Sequence, residues 1–144
     1  MALVAKANQL KVRASVRLNR SASHSHVVAD AVNTVVATSV ARLSNVFSQH
    51  PPEFDEKTWN GVARAIFETL AEKSDKVVSI VHAKNESTKY VKDVRVNVVE
   101  AVARALTKLN ILRLVDFEHI AFHRPVYGPA FKILKDKELF KEKF

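Results

Sequence analysis

Hydrophobic side chains recur at the three- and four-residue spacing of amphipathic helices over three long stretches of the chain. The first stretch covers residues 26–47 and ends before Pro51 and Pro52, which a helix does not continue through. The second follows Asp55, a favourable helix N-cap, and the third covers residues 88–109. With only two glycines in 144 residues, the pattern predicts an all-α fold, a helical bundle of antiparallel helix hairpins.

The segments between these stretches are predicted from their composition. The apolar pattern of the second helix continues through residues 77–81, so we expect that helix to include them. Residues 85–88 predict a loop, in which Asn85 or Ser87 caps the third helix. The β-branched valines of residues 94–99 leave a strand open as the alternative there.

The C-terminal third of the chain is less regular. Residues 111–124 fit neither a helical nor a strand period. Residues 124–131 contain two prolines and a glycine, and they predict a turn. Residues 131–144 then predict a short, basic amphipathic helix, whose phenylalanines 131, 140 and 144 are expected to contact neighbouring copies.

A basic segment precedes the first helix. Residues 9–19 alternate between apolar and polar positions, as in a strand, yet the cations also fall on one stripe of a helix, and both interpretations stay open. In either form one face is cationic and the other is apolar, which suits simultaneous contact with phosphate and with protein. We therefore divide the chain into a basic N-terminal arm (1–25), a helical core (26–124) and a basic C-terminal tail helix (125–144).

The net charge is +8, and it is unevenly distributed. Residues 1–50 contain six cations and one acid, and that acid is Asp30. Residues 51–81 contain four cations and six acids, whereas residues 82–144 contain thirteen cations and eight acids. This balance favours a polyanionic partner, nucleic acid first and an anionic membrane surface second.

No arrangement of residues indicates catalysis. The chain lacks cysteine, which excludes disulfides and thiolate metal sites, and it contains no phosphate-binding glycine loop or nucleophile motif. His119 and His123 stand four apart, as do zinc ligands on a helix, but without a nearby third ligand we expect ordinary histidines. We expect no enzymatic activity, no metal, no cofactor, no small-molecule substrate and, without a long apolar run, no transmembrane segment.

The basic arm, the Val- and Ala-rich helices joined by short loops, the basic tail and the mass of 16.1 kDa resemble the major capsid proteins of filamentous and rod-shaped archaeal viruses. In that family small helical proteins, often two related ones paired as a dimer, wrap linear double-stranded DNA in a helical filament. The resemblance implies a structural coat protein of the virion that contacts the DNA backbone without sequence specificity and assembles with itself or a related coat protein. It implies phosphate contacts by Lys6, Lys11, Arg13, Arg17, Arg20, Arg42, Lys89, Lys92 and Arg95.

Other classes of nucleic-acid-binding protein fit the same charge. One alternative is a cellular DNA-binding protein of the helix-turn-helix or chromatin type, cytoplasmic or nucleoid-associated, which would place residues 88–109 in a major groove. In that helix the cations 89, 92, 95, 104 and 108 face outward. Another alternative is an RNA-associated basic helical protein.

Overall fold

The computed structural model describes residues 19–73 and 76–136, with side chains from residue 32 onward. The chain divides into two units, residues 1–35 and residues 36–144. Helix α1, Asn19–Ser48, begins in the first unit and ends in the second. It confirms the helix predicted for residues 26–47, and it begins earlier, within the segment predicted as the arm.

Helix α1 joins the hydrophobic core through its last two turns. Leu43, Val46 and Phe47 are buried there. The buried indole nitrogen Nε1 of Trp59 donates a hydrogen bond to the carbonyl oxygen of Val46 at 2.6 Å. The helix ends at Ser48, three residues before Pro51, because a residue that precedes proline avoids the helical conformation.

Helix α2, Glu56–Glu72, is the central element of the second unit. Its predicted N-cap is confirmed, since the Asp55 carboxylate accepts a hydrogen bond from the Thr58 backbone N–H at 2.7 Å. That bond holds the pKa of Asp55 below its ordinary value. The helix buries the side chains of Trp59, Val62, Ala63, Ile66, Phe67 and Leu70.

Helix α2 does not continue through residues 77–81, so the prediction of a longer helix was wrong. Lys76 has a φ of 61°, which the helical conformation does not allow. The two valines that follow belong instead to strand β1, Val77–Ser79, a conformation that suits β-branched residues. Ser79 then caps helix α3, Ile80–Ser87, by accepting a hydrogen bond from the His82 N–H at 3.0 Å.

The loop predicted for residues 85–88 was also misplaced. Residues 85–87 form the last turn of α3, where the buried Ser87 hydroxyl donates to the Ala83 carbonyl at 2.7 Å. The connection covers residues 88–95, and helix α4, Val96–Lys108, begins eight residues later than predicted. Asp93 has a φ of 58°, which interrupts the helical pattern of the valines around it. The strand alternative for residues 94–99 was wrong, because residues 94 and 95 belong to no strand and α4 covers the others.

The irregular segment 111–124 forms a β-hairpin. Strands β2, Leu112–Leu114, and β3, His119–Phe122, are antiparallel, and β1 pairs with the other edge of β3. The sheet order is therefore β1–β3–β2. The all-α prediction was right only in part: the described residues are mostly helical and add a small three-stranded antiparallel sheet.

Helix α5, Tyr127–Lys135, begins inside the segment that was predicted to be a turn. Pro129 is the third residue of this helix, where the backbone N–H has no partner within the helix, so its absence costs little. Phe131 was predicted to contact neighbouring copies, but it is buried, with ring centroids 6.4 Å from Phe47 and 5.6 Å from Phe67. The rest of the predicted tail helix, residues 137–144, lies outside the described residues.

Gly61 marks the closest approach between α2 and the connection 88–95. A Cβ atom at this position would overlap the side chain of Val91 and would lie 3.1 Å from the Cβ of Tyr90. Gly128 on α5 offers a matched comparison, because a Cβ there meets no atom within 4 Å.

We expect Gly61→Ala to lower the free energy of unfolding by about 1–3 kcal/mol, because overpacking exceeds the gain in helix propensity. Gly128→Ala should leave stability unchanged or raise it by up to about 1 kcal/mol. Urea denaturation of the two variants measures the difference. Equal effects of the two substitutions would contradict the close approach at Gly61.

Candidate nucleic-acid interface

Helix α4 has one buried face and one exposed face. Val99, Val102, Ala103 and Leu106 are buried in the core, and α3, α2 and β2 pack against the helix. The opposite face exposes Asn97, Arg104 and Lys108. These three residues are spaced by seven and four positions, which places them on one side of the helix over about 16 Å of its length.

The connection 88–95 brings three of the predicted phosphate-binding residues to the start of α4. Lys89, Lys92 and Arg95 are all exposed. The Lys89 ammonium group lies 2.6 Å from a Glu86 carboxylate oxygen, and this pair raises the pKa of Lys89 and lowers the pKa of Glu86. Arg95 occupies the N-cap position and makes no side-chain capping bond, so its side chain leaves the free N–H groups of the first turn of α4 uncapped.

Arg42, another predicted phosphate-binding residue, contacts the other end of α4. Its Nη2 donates a hydrogen bond to the carbonyl oxygen of Leu109, the C-cap residue of α4, at 2.5 Å. A cation is favourable there, because the carbonyl end of a helix carries partial negative charge. This contact fixes α1 to the end of α4 and occupies part of the guanidinium group.

The structure describes no side chain of the remaining five predicted phosphate-binding residues. Arg20 lies in the first turn of α1, and nothing is described of its side chain. The other four, Lys6, Lys11, Arg13 and Arg17, lie outside the described residues. The sequence analysis missed Asn97, because it selected residues by charge. The spacing of seven between Asn97 and Arg104, which places both opposite the buried valines, is the signal that could have identified it.

A half-buried polar cluster fixes the connection 88–95 to the helices behind it. The Tyr90 hydroxyl donates a hydrogen bond to Glu68 Oε1 at 2.5 Å. The other carboxylate oxygen of Glu68 lies 3.4 Å from Arg64 Nε and 3.4 Å from Lys135 Nζ. The Arg64 guanidinium carbon lies 4.6 Å from the centroid of the Tyr90 ring. The cluster therefore joins α2, α5 and the residues that lead into α4.

Burial and the hydrogen bond to the Glu68 carboxylate raise the pKa of Tyr90 to about 12. The neutral phenol is the form that donates to Glu68, whereas the phenolate would face a like charge. The folded protein therefore holds this proton more tightly than an unfolded chain does.

The loop of the β2–β3 hairpin is acidic, whereas β2 carries the exposed cation Arg113. This loop, residues 115–118, carries Asp116 and Glu118. Asp116 accepts hydrogen bonds at 2.8 Å from the Glu118 N–H and at 2.8 Å from Nδ1 of His119. The contact with His119 and the N–H bond lower the pKa of Asp116.

The two histidines considered as a zinc pair lie on the hairpin and not on a helix. His119 is the first residue of β3 and contacts Asp116, and His123 follows the strand. Within residues 19–73 and 76–136, no group of three or more histidines and acids is arranged to hold a metal ion.

No family model, no curated protein and no solved structure matches the chain. Among the residues that the structure describes, no helix combines the length and the apolarity that are needed to cross a membrane.

We expect Tyr90→Phe to flatten the dependence of stability on pH above pH 10. The folded pKa is about 12 against a reference value of 10.0, so the stabilisation is fully present below pH 10 and is lost as the pH rises through 12. The variant should also lose about 1–3 kcal/mol near neutral pH, because the hydrogen bond to a carboxylate is removed. Urea denaturation between pH 8 and about 12 measures both effects.

Lysines titrate in the same pH window, but they do so in both proteins, so the difference between the two profiles isolates Tyr90. Parallel profiles for the two proteins would contradict the assigned role of the Tyr90 hydroxyl.

Proposed function

We propose that the protein binds double-stranded DNA with α4 in the major groove. The observation that carries this proposal is the exposed polar and cationic face of α4. The opposite face of α4 is buried against α2 and α3, so the exposed face points away from the core. Major grooves are wide enough to admit one α-helix. The element order α2–β1–α3–α4–β2–β3 with sheet order β1–β3–β2 is the layout of winged helix-turn-helix domains, which supports the proposal as an analogy of fold.

The side chains on this face have the chemistry that reads base edges. A guanidinium such as that of Arg104 donates two hydrogen bonds to guanine O6 and N7. A side-chain amide such as that of Asn97 pairs in the same way with adenine N6 and N7. Asn97 lies in the first turn of α4, and the N-terminal residues of a recognition helix are the ones that contact bases.

Glu100 adds a side chain that can discriminate among base pairs to a face whose cations attract DNA of any sequence. Its half-buried side chain lies on α4 between Asn97 and Arg104. A carboxylate repels phosphate, but it accepts a hydrogen bond from the cytosine amino group. We therefore expect the protein to distinguish among DNA sequences.

The connection 88–95 supplies contacts to the DNA backbone. Lys89, Lys92 and Arg95 precede the N-terminus of α4, and cations and helix N-termini both attract phosphate. The Lys89–Glu86 ion pair is compatible with this role, since the lysine side chain is 61% exposed and exposed pairs contribute little to stability. The connection is eight residues long, compared with about three or four in the shortest helix-turn-helix motifs.

The coat-protein interpretation stays a prediction. It also requires duplex DNA, but it depends mainly on the basic arm, of which residues 1–18 lie outside the described structure. It differs from the α4 proposal because it requires polymerisation along DNA of any sequence. Regular filaments of constant diameter on random-sequence linear duplex, seen by electron microscopy, would support it.

We expect Arg104→Ala to weaken binding to a duplex selected from a random pool by about 1–3 kcal/mol and to relax the preference at one base pair. Lys92→Ala should weaken binding to all sequences alike and reduce the slope of log K against log salt by about one, because one phosphate contact is lost. Fluorescence anisotropy with labelled duplexes at several salt concentrations measures both quantities.

Lys132→Ala is the matched control, because it removes an exposed cation from α5, which packs on α2. It should change the affinity little. The proposal fails if all three variants weaken binding equally, or if the protein binds single-stranded RNA in preference to every duplex.

A further inference from the structure

The loop of the β2–β3 hairpin exposes an apolar patch that the proposed DNA contact does not use. We call Leu114, Val115 and Phe117 the hairpin patch; their side chains are 49%, 44% and 99% exposed. The loop has a defined position on the second unit, because the Glu118 carbonyl oxygen accepts a hydrogen bond from the Ile80 N–H at 2.7 Å. A fully exposed phenylalanine beside two further apolar side chains is typical of an interaction surface.

The charges beside the hairpin patch are of both signs. Arg113 precedes the patch on β2, Asp116 lies within it and Glu118 follows it, and all three side chains are exposed. Asp116 accepts hydrogen bonds from the Glu118 N–H and from His119 through the same oxygen, Oδ1. Because Oδ2 takes part in neither bond, the carboxylate can also accept from a cation outside its own loop.

The residues from Arg113 to Asp116 are complementary to themselves. In chain order they are a cation, two apolar residues and an acid. When a second copy runs in the opposite direction, Leu114 and Val115 of the two copies meet in the middle, and Arg113 of each copy faces Asp116 of the other. A two-fold axis produces this arrangement, because it brings the same patch of both copies into contact. The charges therefore favour a second copy of this chain over a partner of one sign throughout.

The hairpin patch is too small to hold two free copies together. A buried phenylalanine covers about 150–250 Å², whereas a stable interface buries about 800 Å² on each partner. Two copies on neighbouring sites of one DNA molecule need much less contact, because each then meets the other at a high effective concentration.

We propose that two copies of this chain, bound to neighbouring sites on one DNA molecule, contact each other through their hairpin patches across a two-fold axis. Burial of Phe117 and its apolar neighbours supplies the attraction, and the two pairs of Arg113 with Asp116 fix the direction of the contact. The two DNA sites then form an inverted repeat, because the symmetry of the site mirrors that of the protein pair. This inference rests on the proposed function, since DNA is what brings the copies together.

Electrophoretic mobility shifts on three kinds of duplex test the inference, because they separate DNA that carries one copy from DNA that carries two. The duplexes contain one selected site, two sites in inverted orientation or two sites in direct orientation, the pairs at a series of spacings. We expect the second copy to bind an inverted repeat at least about tenfold more tightly than the first, at one or more spacings, and to bind direct repeats independently. Phe117→Ser should abolish this cooperativity and leave the affinity for the single site unchanged, and Arg113→Asp should also abolish the cooperativity.

Two substitutions on α5 are matched controls. Ile133→Ser removes an apolar side chain that is 46% exposed, as Phe117→Ser does at the hairpin. Lys132→Asp replaces an exposed cation and changes the net charge by the same amount as Arg113→Asp. Neither control should change the cooperativity.

Three outcomes would overturn the inference and leave the proposed function standing: independent binding to both sites of every duplex, equal cooperativity on inverted and direct repeats, or cooperativity that survives Phe117→Ser. A weaker affinity of the Phe117→Ser variant for the single site would also overturn it, because the hairpin would then be a DNA contact. Absence of binding to the single-site duplex would refute the proposed function, and the inference with it.

Discussion

Helix α2 has to be covered on almost every side, because its side chains from Trp59 to Leu70 are buried at all but two positions. The end of α1, helices α3 and α5, and α4 pack around it, and the sheet closes the remaining side. The aromatic rings of Phe47, Phe67 and Phe131 meet within this core. The stability of the core and the position of the exposed face of α4 are therefore linked, because α4 is itself one of the elements that cover α2.

The closest of these contacts involves Gly61 and the connection 88–95. Because no side chain stands at Gly61, Val91 and Tyr90 can lie directly against α2. The hydrogen bond from the Tyr90 hydroxyl to Glu68 then fixes the connection through the far end of the same side chain. The cations that precede α4 are thus carried by a segment with a defined position, although the segment belongs to no helix or strand. The Tyr90–Glu68 hydrogen bond and the close packing at Gly61 together fix the position of the segment that we propose contacts DNA.

The long helices could be predicted from the sequence, and the short elements could not. Helices α1 and α2 carry several turns of apolar spacing, and Asp55 marks a helix start through ordinary capping chemistry. Strands of three or four residues are too short to show a period, so the hairpin was missed. The start of α4 depends on the left-handed conformation of Asp93, and Pro129 is tolerated only because α5 begins two residues before it. Neither fact is visible in a pattern of apolar positions.

The candidate nucleic-acid interface could also be predicted from the sequence only in part. The sequence predicted Lys89, Lys92 and Arg95 as phosphate contacts from their charge, which is visible without a fold, and the structure shows all three exposed on the connection 88–95. It could not show that Arg42 contacts the end of α4, since that contact joins residues 67 positions apart. Nor could it show that Asp116 and Glu118 lie in the loop of a hairpin, since the strands on either side are too short to be recognised.

The most direct test of the central claim is to record the backbone amide resonances of the full chain while a short random-sequence DNA duplex is added. The account predicts that the largest shifts fall on residues 89–97 and on the outward face of α4, with little change on α5. Shifts that concentrate on α5 or on the hairpin loop, while the amides of α4 stay unmoved, would contradict it.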